Sequence, residues 1–140
     1  MLKIAVLMST YNGEKFLQVQ KDSLLAQQGV DLTVFVRDDG SLDNTPQILK
    51  NYSINYSNIK IILGENLGVI GSFFTLLEQV DTGFDYYAFA DQDDYWLPQK
   101  ILRATVLLNE QNNNQPLLYC SALEYVDVNL QHLGQSNLSF

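Results

Sequence analysis

Five short apolar runs, separated by stretches of helical periodicity, limit what this chain can fold into. They are KIAVLMS (3 to 9), LTVFVR (32 to 37), IKIIL (59 to 63), DYYAFA (85 to 90) and PLLYCS (116 to 121). Runs of this length read as strands, and the spans between them leave room for the helical crossovers that parallel strands require. Strands alternating with helices predict repeated βαβ units, hence an α/β fold: a Rossmann-like, mostly parallel sheet flanked by helices. At 140 residues, one domain covering 1 to 140 has enough chain for a real core.

The intervening stretches carry their own signals. EKFLQVQKDSLLAQQG places Phe16, Leu17, Leu24 and Leu25 on one helical face, with Gly29 as a C-terminal stop. After the second run, Thr45 can cap a helix with Pro46 at its first position and with Ile48 and Leu49 facing inward. VIGSFFTLLEQV spaces Phe73, Leu76, Leu77 and Val80 as a stripe. A fourth helix, opened by Pro98, carries Ile101, Leu102, Thr105 and Leu108. All four stripes read as core packing. NEQNNNQ (109 to 115) reads as a polar turn, and the tail HLGQSNLSF, with His132 as the sole histidine, has no period.

Composition narrows the partners. Sixteen acidic against eight basic residues, a net charge of -8, argue against a nucleic-acid ligand held on a basic surface. No stretch approaches the ~20 apolar residues of a membrane span, and the start turns polar too soon for a signal peptide. Cys120, in PLLYC, reads as a small buried hydrophobe; one cysteine builds neither a disulfide framework nor a zinc site, so a reducing cytoplasm is the simplest compartment.

In an open parallel sheet, ligands bind beyond the carboxyl ends of the strands. The segments following the first four runs are STYNGEKF, DDGSLDNT, GENLGVIGS and DQDD, and parallel connectivity brings them to one edge. Ser9, Thr10 and Asn12 could simply turn the chain, and DDGS is good turn chemistry by itself. Together, however, the segments gather seven acidic side chains at that edge: Glu14, Asp38, Asp39, Asp43, Asp91, Asp93 and Asp94.

Two carboxylates about 5 Å apart at an effective dielectric near 20 repel by roughly 3 kcal/mol, so DQDD calls for a neutralising charge. Hard oxygen ligands at i and i+2 suit Mg2+ or Mn2+, which keep waters and bind through one or two carboxylates plus phosphates. Such an ion would also let an acidic chain hold a diphosphate. Asp38 or Asp39 could accept hydrogen bonds from a base imide N–H or from ribose hydroxyls. No P-loop occurs, and GENLGVIGS lacks the compact spacing of a dinucleotide-binding turn. DDGSLDNTPQIL fails as a calcium loop, with Asn44 at the glycine position and Lys50 where the bidentate glutamate belongs.

VLMSTYNGEKFL, VRDDGSLDNT, ENLGVIGSF and FADQDDYWLPQKI, in that order, resemble the N-terminal half of a family-two glycosyltransferase of the GT-A fold, the last segment especially its rhamnosyltransferase branch. The resemblance covers about residues 3 to 130. It implies a nucleotide pocket lined by Ser9, Thr10, Tyr11 and Asn12 with Glu14 nearby, Asp39 and Asp38 at a pyrimidine base, and Asn66, Gly68, Asp91 and Gln92 bordering the nucleotide. Asp91 and Asp93 match the family's D-x-D metal pair. Asp94 is a candidate sugar contact, and Trp96 would either flank the sugar or pack its loop onto the next helix. The implied reaction is metal-assisted, inverting transfer of a sugar from a UDP- or dTDP-sugar, dTDP-rhamnose among them, to a hydroxyl of a glycan or lipid-linked acceptor in polysaccharide or cell-envelope synthesis. That would place the protein in the cytoplasm or peripherally at the inner face of the membrane. In the family, the general base and acceptor region lie well downstream of D-x-D; Glu124 and Asp127 match no base motif, so both are expected outside this chain and no catalytic residue is assigned.

Three rival readings compete. A metal-dependent nucleotidyltransferase would bring a basic, glycine-rich first loop, where this chain offers only Lys15. A receiver domain would carry its acidic pair after the first strand, where this chain has STYNG. A non-catalytic nucleotide-sugar-binding module fits the same residues.

Overall fold

The first four apolar runs form strands within two residues of their expected bounds. In the computed structural model, which describes residues 1 to 112 and 114 to 137, they are β1 (Lys3–Thr10), β2 (Asp31–Asp39), β3 (Ile59–Gly64) and β4 (Tyr86–Ala90). All pair in parallel, in the order β3-β2-β1-β4. The crossovers are α1 (Leu17–Leu25), α2 (Thr45–Asn55) and α3 (Gly68–Gln79), and α4 (Lys100–Asn109) follows β4. The chain therefore has the α/β architecture its periodicity predicts.

Contacts gather the chain into two compact units, Met1–Thr105 and the described residues from Val106 onward. The expected fifth strand is absent: 116 to 121 has no strand pairing, and Leu118 and Cys120 are exposed. A short apolar run marks a strand only if a neighbouring strand pairs with it, and without pairing, burial of Cys120 has no basis. The second unit instead contains a small antiparallel hairpin, β5 (Glu124–Val126) and β6 (His132–Gln135). Asn113, within the expected polar turn, and residues 138 to 140 of the expected tail lie outside the described residues.

Strand parity organises the first unit, because successive side chains point to opposite faces. Ile4, Val6 and Met8 of β1 with Val34 and Val36 of β2 meet Leu17 and Leu24 of α1, Leu49 of α2 and Ile101 of α4. On the other face, Ala5 and Leu7 meet Leu76 of α3 and Val80, with Phe35, Phe73 and Phe84 around them. Sequence and structure differ in detail. Phe16, expected on the inner face of α1, is exposed, and buried Gln20 and Ser23 take up that stripe. Asn44, not Thr45, occupies the N-cap of α2, while Thr45 is fully buried and accepts a hydrogen bond from the Gly13 N–H at 2.9 Å. Leu77 of α3 is exposed.

Candidate functional site

The same parity sorts the polar residues at the carboxyl edge. Thr10 and Asp38 continue the α1–α2 face of the sheet, whereas Ser9 and Asp39 continue the α3 face. On the α3 side lies a cleft of about 320 Å³, lined by Ser9, Tyr11, Asp39, Val69, Phe73, Asp91, Gln92 and Asp93. Six of the expected site residues thus border one cavity. A second cavity, about 10 Å³ and lined largely by core side chains such as Leu24, Val36 and Leu49, is a packing gap at the limit of one water.

The remaining expected residues knit the loops together. Asp38 accepts hydrogen bonds from the Ser41 N–H (3.0 Å) and hydroxyl (2.5 Å), which close the DDGS turn. Gly40 has φ +77, open to glycine, and a Cβ there would lie 2.9 Å from the Asn66 nitrogen, so the turn seats the loop between β3 and α3. The Asn12 side chain accepts the Leu42 N–H at 2.9 Å, and the Asn12 N–H donates to the Ser41 hydroxyl at 2.8 Å. Glu14 accepts the Asn44 N–H at 3.0 Å, while Asp43 accepts those of Thr45 (2.9 Å) and Glu14 (3.3 Å). Glu14 and Asp43 therefore join the first two loops. Asn66 and Gly68 lead into α3, where the Gly68 N–H donates to the Asn66 side chain at 3.3 Å; neither lines the cleft.

Gln92 lines the cleft yet is spent on the protein. Its amide oxygen accepts from the Thr10 hydroxyl (2.6 Å) and the Tyr11 N–H (3.0 Å), and its amide nitrogen donates to the Tyr11 carbonyl (3.1 Å). This splint sets Asp91 and Asp93 against the first loop. From α1, buried Gln20 donates to the Asp91 carbonyl at 2.8 Å, and just past the helix end Gln27 bridges the Leu97 carbonyl and the Ile101 N–H. Sequence reasoning missed both glutamines. Part of their signal was present: 17, 20 and 24 fall at i, i+3 and i+7, so Gln20 shares the buried stripe of the leucines, whereas half-buried Gln27 lies just beyond the end of the helix at Leu25. Trp96, 4% exposed, packs in the core with Lys100 over its ring.

The DQDD loop crowds like charges together. Burial, then the Asp91 and Asp93 charges, push the Asp94 carboxyl above its ordinary 3.8, against the pull of Lys100. Among the described residues, no three His, Cys, Asp or Glu side chains gather to cage a metal. Two exposed carboxylates beside an open cleft nevertheless fit Mg2+ or Mn2+, ions that take few protein ligands and fill the rest with water and phosphate. In the second unit, Glu124 pairs with His132 at 2.7 Å, and Asp127 accepts the Asn129 and Gln131 N–H groups, so the late carboxylates are hairpin fittings there.

The family model described as glycosyl transferase family 2 matches residues 5–135. Over 111 residues the chain is 39% identical to the dTDP-rhamnosyl transferase RfbG of Shigella flexneri, covering 76% of this chain and 38% of that protein. The structure of S. aureus TarS 1-349 in complex with UDP-GlcNAc aligns with a TM-score of 0.67 at 25% identity, covering 92% of this chain and 42% of that one. The mannosyltransferase PcManGT of Pyrobaculum calidifontis, at 22% identity, a TM-score of 0.62 and coverage of 74% and 31%, shares the fold. The chain thus spans less than half the length of these relatives. With a parallel GT-A sheet, a cleft at its carboxyl edge and a family match over nearly its whole length, the chain belongs to glycosyltransferase family 2.

Proposed function

We propose that this chain forms the donor-binding part of an inverting glycosyltransferase that uses a UDP- or dTDP-sugar and a divalent cation. The observation that carries the reading is the convergence of Asp39 on one strand with Asp91 and Asp93 two strands away, across one cleft that Ser9 and Tyr11 also line. RfbG bears the name of a dTDP-rhamnosyl transferase, which favours dTDP-rhamnose among the donors.

In this reading Asp39 accepts a hydrogen bond from the imide N–H of uracil or thymine. Asp91 and Asp93 hold Mg2+ or Mn2+, with Asp93 the direct ligand, and Asp94 reaches the sugar. When bound, the ion acts as a Lewis acid on the departing diphosphate, whose charge grows in the transition state. Gln92 and Gln20 keep the two aspartates at a set distance from the nucleotide loop, so little reorganisation is needed when the diphosphate arrives. The hydroxyl acceptor, glycan or lipid-linked, and the carboxylate that deprotonates it are assigned to sequence outside these residues. No described helix is long and apolar enough to cross a membrane, and a lipid-linked acceptor would be met peripherally, on the cytoplasmic side.

Calorimetric titration of UDP and of dTDP, each with Mn2+ and with EDTA, tests the reading. Metal-dependent binding of at least one nucleotide is expected, weakened about tenfold or more in Asp93→Asn. Failure of folded wild-type protein to bind either nucleotide under any condition would overturn it.

A further inference from the structure

Arg37, at the end of the second strand, is a buried charge that the site as described does not use. It is 2% exposed and points to the α3 face, two residues before Asp39. One terminal nitrogen, Nη1, donates to Asp39 Oδ1 and, at 3.1 Å, to the Ser72 hydroxyl oxygen; the other, Nη2, donates to the Glu65 carbonyl at 2.9 Å. The Ser72 oxygen also accepts the Ser9 hydroxyl at 2.6 Å, so one guanidinium ties Asp39, α3 and the end of β1 together. Space is reserved for it. A Cβ on Gly64, which pairs with Asp39 in the β2–β3 register, would lie 2.4 Å from Arg37 Nη2.

Stability does not account for this arrangement. A buried ion pair is often no better for a fold than apolar side chains of similar volume. Here, moreover, the guanidinium Nε is buried without a hydrogen-bond partner. What the fork does accomplish is to fix one carboxylate. Asp39 Oδ1 is occupied twice, by Arg37 and by the Leu67 N–H at 2.8 Å. Among the described residues Oδ2 receives no hydrogen bond, and Asp39 borders the cleft.

We propose that Arg37 is the positioning residue for Asp39: by holding Oδ1 it presents Oδ2 as a lone, correctly aimed acceptor, which selects a nucleobase carrying a ring N–H, uracil or thymine, over cytosine, whose corresponding nitrogen has no hydrogen. The inference rests on the donor-site reading above. Arg37 touches neither the nucleotide nor the metal. Its fork keeps the carboxylate oriented, and a pyrimidine that cannot donate leaves that acceptor unpaired.

The test compares UDP, dTDP and CDP binding, with Mg2+, to wild type, Arg37→Met and Arg37→Lys. Wild type is expected to prefer UDP or dTDP over CDP by about tenfold or more, and Arg37→Met to lose that preference while holding CDP with near wild-type affinity. Arg37→Lys keeps the charge without the fork and is expected to fall between. Equal weakening of all three nucleotides in both variants, with the preference intact, would mean a merely structural role and overturn the proposal. Hydrogen exchange of the Leu67 amide in the nucleotide-free protein reads the carboxylate's position independently: it is expected to quicken about tenfold in Arg37→Met, with β1 amides unchanged. An unchanged Leu67 amide would also overturn the proposal. Should wild type bind no nucleotide, the donor-site reading and the base selectivity fall together, and the Leu67 amide alone decides whether Arg37 positions Asp39.

Discussion

At the residue scale, adjacent carboxylates divide their tasks by strand parity. Asp38 and Asp39 point to opposite faces of β2, so one closes a turn and the other meets the cleft. Asp43 shows a structural carboxylate at work. Burial, the largest influence on it, pushes its carboxyl up, but hydrogen bonds from the Thr45 side chain and backbone and from the Glu14 backbone outweigh that and hold it below the ordinary 3.8. A depressed carboxyl pKa means that the folded state binds its proton less readily than the unfolded chain. The stability Asp43 contributes is therefore fully present above pH 3.8 and is lost as pH falls through the region below it. Asp43→Asn should flatten this part of the acid limb: the fall in urea midpoint between pH 6 and pH 3 is expected to be smaller than in wild type. An equal fall in both would remove Asp43 from the acid response.

At the scale of elements, α1 does more than cover the sheet. Leu17 and Leu24 pack against β1 and β2, while Gln20, on the same stripe, and Gln27, just beyond the helix end, hold the loop that carries Asp91, Asp93 and Asp94. A buried glutamine costs desolvation unless its amide is bonded, and Gln20 is bonded at both ends, to the Asp91 carbonyl and the Ser23 hydroxyl. Gln20→Leu would keep the volume and leave the Asp91 carbonyl without this donor, at an expected cost of about 1 to 3 kcal/mol in urea unfolding. Metal-dependent nucleotide affinity should fall with it, because Asp91 loses its brace. A variant that loses stability but binds as wild type would show that Gln92 alone sets the loop. In α3, by contrast, Val69, Ile70, Phe74 and Leu77 are exposed although apolar, and only the side through Ser72 and Leu76 meets the sheet. Periodicity marked the stripe but could not say which of its members the sheet would reach.

At the scale of the whole molecule, a net charge of -8 and a pI near 4.3 keep copies apart at neutral pH, while the exposed apolar side chains of α3 and β4, with Tyr87 and Phe89 on the latter, favour contact once that repulsion is gone. Light scattering is expected to rise sharply between pH 7 and pH 4.3 and to rise less in Ile70→Lys, which adds a charge to the exposed side of α3. Equal scattering by both proteins would mean that this side takes no part in association.

The sequence by itself determined the four parallel strands, their crossovers and the polar edge, because each follows from local periodicity and turn chemistry within a few neighbouring residues. It also held the strand parity that separates Asp38 from Asp39. Only the tertiary structure decided what each polar group is spent on. Whether Glu14, Asn12 and Gln92 face a ligand or another loop depends on contacts between segments about 30 to 80 residues apart, which no window of sequence contains. The same holds for PLLYCS, whose apolar run gained no partner strand, and for Arg37, a charge at the end of a strand whose burial follows from the absence of a side chain at Gly64 on the neighbouring strand.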